Sequence, residues 1–191
     1  MVEPTLIVPP SGAVTAHCLR LRPGDKLMPS LKQAASVILA ESSSAFIITA
    51  VGSLQDVTLR LANASRMDGD NDANDIKRYV NQRFEIVSLT GTFSRDDGCH
   101  VHISLADANG NAIGGHLIDG VIFTTCELVL GTARGVEFVR TMDDNTGYRE
   151  LEVRQILAQS CREPIISWRK VSIAVLAMAV IGIVAGRVKT R

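Results

Sequence analysis

Aromatic residues are scarce in this chain, since Phe, Tyr and Trp make up only 4% of its 191 residues. Hydrophobic residues nevertheless reach 46%, so the core must consist mainly of Leu, Val, Ile and Ala, and the length suits one domain with appendages. The four cysteines form no CxxC pair, which favours reduced thiols over disulfides. Residues 1–4 show no charged region leading into an apolar run, so we expect no secretory signal.

Net charge is also absent, but the formal value of zero hides an asymmetry. Five basic residues and no acidic residue lie between Trp168 and the end, which leaves 15 Lys and Arg against 20 Asp and Glu elsewhere, a balance of about −5. This balance disfavours a nucleic-acid partner, although a local basic patch would still permit one. The chain also lacks the GxSxG, HExxH, Rossmann and P-loop patterns, so no motif assigns an enzymatic reaction.

Short apolar runs and turn residues dominate what is present. An amphipathic spacing of apolar residues predicts one helix over residues 30–41. Alternating or β-branched runs predict strands at residues 19–21, 45–51, 57–61, 83–93, 101–106, 115–121, 123–130 and 135–140, and residues 150–161 favour a short polar helix or a connector. The predicted class is α+β, a mostly antiparallel β-sheet packed on a helix.

Three of the four histidines lie close together in the sequence. His100 and His102 are two residues apart, so on a strand both imidazoles project from the same face. A turn over residues 107–111 can fold His116 back toward them. Three neutral imidazoles could hold zinc or another divalent metal with an open position, whereas the structural alternative is a set of exposed or core-satisfied histidines.

Several neighbours of these histidines bear on the chemistry. A metal-dependent hydrolase would need a general base, for which Glu85 and Asp107 are the candidates. Asp107 could also orient a histidine, but an aspartate that opens an Asn-Gly turn is the commoner case. Gly115 would let the backbone approach a ligand or a neighbouring subunit closely, or would form a β-bulge. Cys99 lies on the opposite strand face from His100 and is expected to be a core thiol.

The C-terminal region contains a continuous apolar segment, residues 171–186, with basic residues on both sides. Its apolar residues surround the whole helical circumference, which favours a membrane-spanning tail helix over a buried soluble one. We therefore expect a membrane localisation with the domain facing the cytosol. The mitochondrial outer membrane or the endoplasmic reticulum would suit so short a segment.

The chain resembles the plants and prokaryotes conserved (PPC) domain family over residues 16–153. The resemblance is carried by five segments in the family order: residues 19–25 (LRLRPGD), 51–60 (VGSLQDVTLR), 83–93 (RFEIVSLTGTF), 100–107 (HVHISLAD) and 114–117 (GGHL). It implies an antiparallel sheet packed on a helix and assembly as a homotrimer. The histidines look like those of the prokaryotic type, in which similarly placed imidazoles can hold a metal; on that basis His100, His102 and His116 are the metal candidates.

The AT-hook segments that plant members use in the minor groove do not occur in this sequence. Together, the resemblance and the apolar C-terminal segment lead us to expect five parts. These are a flexible leader (1–15), a PPC-like domain (16–153), a connector (154–170), a transmembrane tail helix (171–186) and a basic terminus (187–191). The preferred function is a trimeric, membrane-anchored interaction module with a three-histidine metal site, which could also bind a small ligand. A DNA-binding or transcription-related protein and a metal-dependent hydrolase are the alternatives.

Overall fold

The computed structural model describes residues 13–62 and 76–156. Eight strands and one helix follow one another in these ranges: β1 (Val14–Leu21), α1 (Leu27–Glu41), β2 (Ala45–Arg60), β3 (Ile76–Tyr79), β4 (Phe84–Phe93), β5 (Cys99–Ala106), β6 (Ala112–Ala133), β7 (Val136–Asp143) and β8 (Tyr148–Gln155). The mostly antiparallel sheet with one helix confirms the predicted fold class for this part of the chain.

Strands β1 to β6 form one antiparallel sheet, in the order β1-β6-β5-β4-β2-β3. Strand β2 also pairs with β6, so β2, β4, β5 and β6 close into a ring of hydrogen-bonded neighbours. Alternation along these strands places one set of side chains inside the ring and the other outside. The inside set is apolar and fully buried, and includes Leu54, Leu59, Phe84, Leu105 and Leu117.

Helix α1 covers this core with one apolar face. Leu27, Leu31, Ala35 and Leu39 are four residues apart and all buried, which places them on one side of the helix against β6 and β2. The helix begins three residues before the predicted start. Pro29 does not prevent this because amide groups of the first turn have no intrahelical partner to lose.

Two long strands replace four shorter ones that the sequence predicts. Gly52 does not end the first run, since β2 passes through it with a φ of 154°. A Cβ at this position would lie 2.1 Å from the carbonyl oxygen of Thr125, so only glycine allows β6 to approach here. Residues 115–121 and 123–130 likewise belong to the single strand β6.

Strands β7 and β8 form a separate two-stranded sheet. Residues 150–155 therefore continue a strand, where the sequence predicts a polar helix or a connector. The backbone N–H of Phe138 donates to the carbonyl of Ser43 at 2.9 Å, and the Phe138 ring lies 6.4 Å from that of Phe46. These contacts hold the hairpin against the main sheet near the ends of β4 and β5.

The predicted membrane localisation is corrected. Within residues 13–62 and 76–156, no helix is long and apolar enough to cross a membrane. The apolar segment 171–186 on which the prediction rested lies outside the described residues, as do the leader up to residue 12 and Cys161. Cys18, Cys99 and Cys126 are free thiols, in agreement with the cysteine prediction for these three positions.

Candidate metal centre

The three histidines lie together on the outer surface of the strand ring. His100 and His102 alternate along β5 with Val101 and Ile103, which are 1% and 3% exposed, so the imidazoles project outward. Strand β6 places His116 directly opposite His102 in the antiparallel register. The pairing of β5 with β6 thus brings His116 next to His100 and His102, so that the three histidines form one cluster.

The turn between β5 and β6 fixes this register. Asp107 accepts hydrogen bonds from the backbone N–H of Asn109 at 2.8 Å and of Asn111 at 2.9 Å, and its second oxygen accepts from the Asn111 side chain at 3.1 Å. Gly110 takes a φ of 79°, which the Asn-Gly pair makes accessible. These bonds hold the pKa of Asp107 below its usual value. The carboxylate therefore acts in the turn and does not orient a histidine.

The spacing of the three imidazoles suits a shared ligand. Ring centroids lie 4.7 Å apart for His100 and His102, 5.3 Å for His100 and His116, and 5.5 Å for His102 and His116. One ring nitrogen from each lies within 4.8 Å of the others, and the two Nε2 atoms on β5 are 2.9 Å apart. Tetrahedral coordination at Zn–N bonds of about 2.0–2.1 Å separates ligand nitrogens by roughly 3.4 Å. Small rotations of these side chains would reach that arrangement.

The surroundings of His100 and His116 favour the neutral imidazole, the form that binds a metal. Burial, followed by the positive charge of Arg60 and by the other two histidines, lowers the pKa of His116 to about 4. Burial also lowers the pKa of His100, with further contributions from His102 and Arg140. The Nδ1 atom of His116 is buried without a hydrogen-bond partner among the described residues. A metal ion could use the lone pair of such a nitrogen, so the donor set fits a divalent metal.

Gly115 makes room for the strand that supports His116. A Cβ at this position would lie 2.7 Å from the carbonyl oxygen of Arg60 on β2. This close approach is to β2 of the same chain, whereas the approach to a ligand or a neighbouring subunit that the sequence suggested stays a prediction. Cys99 is half-buried and packs against the hydrophobic core, as expected from its position opposite His100.

Glu85 lies at the other end of β4 from the cluster. Thr90 is the residue of β4 opposite His102, whereas Glu85 is opposite Ala106, five positions away. At about 3.4 Å per residue the separation along the strand is roughly 17 Å. Neither carboxylate that the sequence offered as a general base is therefore placed to act at the histidines.

Two further features of the centre have no counterpart in the sequence prediction. Arg60 is opposite His116 across β2 and β6, and the Arg140 guanidinium donates to the Thr92 hydroxyl at 2.8 Å. A shallow groove of about 430 Å³ beside the cluster is lined by Phe46, Ile47, Thr90, Gly91, Thr92, His100 and His102. Buried and partly exposed residues alternate around Arg60, which indicates that its side chain projects outward. No local sequence pattern links Arg140 to the histidines.

The model of the plants and prokaryotes conserved domain matches residues 9–134. The chain belongs to this family. The resemblance noted from the sequence is confirmed, although the match ends before β7 and β8. The PPC chain is also 37% and 36% identical, over 153 and 148 residues, to two proteins called bifunctional protein GlmU from Synechococcus strains. It aligns with 22% of the length of each, so it spans about a fifth of these relatives.

Solved structures share the PPC fold. A hypothetical protein from Salmonella is 31% identical with a TM-score of 0.65, over 76% of this chain and 96% of that one. A PPC protein from Pyrococcus horikoshii is 21% identical with a TM-score of 0.60, over 74% and 94%. A protein from Archaeoglobus fulgidus described as metal-containing is 26% identical with a TM-score of 0.56, over 72% and 93%.

Proposed function

We propose that this PPC domain is a metal-binding interaction module that holds one divalent ion, preferably zinc, on His100, His102 and His116. The observation that carries the proposal is the convergence of three ring nitrogens to within 4.8 Å. Three protein nitrogens leave a coordination position open for a ligand from solution. The Archaeoglobus relative, itself called metal-containing, supports the proposal without identifying the ion.

The hydrolase alternative has weaker support. A metal-activated water needs a general base within about 2.6–3.2 Å, or one water molecule away. Asp107 is hydrogen-bonded in its turn, and Glu85 lies at the far end of β4. Ligand binding at the open position therefore explains the site with fewer assumptions than catalysis does.

Metal analysis of the purified full chain tests the site. We expect about one zinc per chain for the wild type and a large loss for His102→Ala. His17→Ala is the matched control, because it removes the remaining histidine, which lies on β1 opposite Leu130. Retention of zinc by the His102→Ala variant, or an equal loss from both variants, would contradict the proposed centre.

We also propose that the module is a homotrimer. Support comes from apolar side chains on the outer surface of β2, where Ile48 is 48% and Val51 60% exposed. A groove of about 600 Å³ adjoins Val51; it has an apolar side formed by Leu19, Leu128 and Val129 and is lined also by Cys18, Arg20, Thr49 and Glu127. Exposed apolar patches of this kind mark contacts between proteins.

Light scattering on the eluting full chain tests the assembly. We expect the mass of three copies for the wild type and of one copy for Val51→Lys. The new lysine would be opposite Glu127 on β6, so the isolated domain should tolerate it. Val87→Lys, at an exposed position on β4, is the matched control and should stay trimeric. A monomeric wild type, or a trimeric Val51→Lys variant, would contradict this proposal.

A further inference from the structure

Two arginines border the histidine cluster on different sides. Arg60 on β2 is the cross-strand neighbour of His116, so their side chains lie on the same face of the sheet. On the other side, Thr92 of β4 is the neighbour of His100, and the guanidinium of Arg140 donates to the Thr92 hydroxyl at 2.8 Å. The proposed metal position therefore has an arginine on each of two sides, and the hydrogen bond to Thr92 holds Arg140 in place.

Neither arginine has an acidic partner among the residues that the structure describes. The ion pairs in these ranges join Arg149 to Asp96 and Arg154 to Glu152. Arg140 is only 7% exposed, and its Nε is buried without a hydrogen-bond partner in the described part of the chain. A buried guanidinium without a compensating charge is costly, so this group calls for an anion.

The wider charge balance leads to the same conclusion. Histidine ligands contribute no negative charge, so a divalent ion would add two positive charges beside Arg60 and Arg140. The metal-loaded centre would therefore carry a clear excess of positive charge.

The surface beside the histidines has room for a small molecule. The groove of about 430 Å³ leads from His100 and His102 to the Phe46 ring, past the hydroxyls of Thr90 and Thr92. Arg140 lies beside this groove and donates to the Thr92 hydroxyl that lines it. Gly98 leaves room for the Arg140 side chain, since a Cβ there would lie 2.5 Å from Cγ of Arg140. Positive charge, hydroxyl donors and an apolar side are thus combined in one surface.

We propose that the physiological ligand of this centre is a small anion whose carboxylate or phosphate group takes the open metal position, with its charge neutralised by Arg140 and Arg60. Guanidinium groups suit both oxyanions because their parallel N–H donors match two oxygens at once. This inference rests on the proposed metal site and adds the chemical class of its ligand.

Cobalt-substituted full-length protein allows the metal and the anion to be observed separately. The visible bands of bound Co²⁺ report the site itself, and their change during titration reports a new ligand. Inorganic phosphate and succinate are the probes, and uncharged succinamide is the matched control. We expect a saturable change with phosphate or succinate and none with succinamide; the responding anion then distinguishes phosphate from carboxylate recognition.

Substitutions test the two arginines. Arg60→Gln and Arg140→Gln should each weaken anion binding about tenfold or more, as expected for loss of a charge-assisted hydrogen bond. Arg140→Lys keeps the charge and serves if the glutamine variant does not fold; it should bind the anion more weakly than the wild type because it loses the planar donor pair. Arg83→Gln is the control, because this exposed arginine stacks on Phe123 at the start of β4, far from the cluster.

The outcomes separate the two proposals. Absence of cobalt bands before any anion is added would overturn the metal site. Two results would overturn the anion proposal and leave the metal site in place. The first is normal cobalt bands that neither anion changes. The second is an anion affinity that is the same in the wild type and in the variants at Arg60 and Arg140.

Discussion

Gly115→Ala should destabilise the fold and weaken the metal centre. Gly115 lies on β6 next to His116, at a point where β6 packs closely against β2. The added Cβ would lie 2.7 Å from the Arg60 carbonyl oxygen. Ordinary carbon–oxygen contacts begin at about 3.3 Å, so β2 and β6 would have to separate by roughly 0.6 Å. Overpacking of this kind costs about 1–3 kcal/mol.

The same displacement should move His116 relative to His102. Metal sites need their ligands within about 0.5 Å of the productive geometry, so we expect zinc affinity to fall by about tenfold or more. The assay is urea unfolding of the metal-free protein, with zinc affinity measured by competition against a chelating dye.

Gly147→Ala is the control for a loss of stability without a change at the histidines. Gly147 has a φ of 73° and no atom within 4 Å of an added Cβ, so its substitution strains the β7–β8 turn alone, at a cost of about 1–2 kcal/mol. Wild-type stability and affinity for Gly115→Ala would refute the reasoning. So would an equal loss of zinc affinity in the two variants.

Two further predictions concern pH and the turn. The pKa of His116 lies at about 4 in the fold, below its ordinary 6.5, so the unfolded chain binds more protons between these values. The unfolding free energy of the metal-free protein should therefore fall as the pH falls from about 6.5 toward 4, and His116→Gln should reduce this slope in urea titrations; an unchanged slope would contradict the assignment. Asp107→Ala removes three accepted hydrogen bonds from the turn and should lower the unfolding free energy in the same assay, whereas His17→Ala leaves these hydrogen bonds intact.

The histidine cluster was largely predictable because its geometry depends on local rules. Alternation on a strand places His100 beside His102, and the Asn109-Gly110 turn returns the chain so that His116 is opposite His102. The same rules identify the buried residues of β5, where apolar and polar side chains alternate, whereas a register shift between Ile86 and Ser88 interrupts the alternation on β4.

Other features depend on contacts between distant segments. Gly52 looks like the end of a strand, but the close approach of Thr125 makes it a position within one. Strand β8 contains few apolar residues, and its pairing with β7 decides its conformation. Arg140 contacts Thr92 beside the cluster because this second sheet packs near the end of β4 and the start of β5, which no spacing in the sequence reveals.

X-ray absorption at the zinc edge of the zinc-loaded full-length protein tests the central claim most directly. The account predicts three imidazole nitrogens at about 2.0–2.1 Å, with the remaining ligand a light atom from water or an anion. Sulfur at about 2.3 Å, or fewer than three imidazoles per zinc, would contradict a centre formed by His100, His102 and His116.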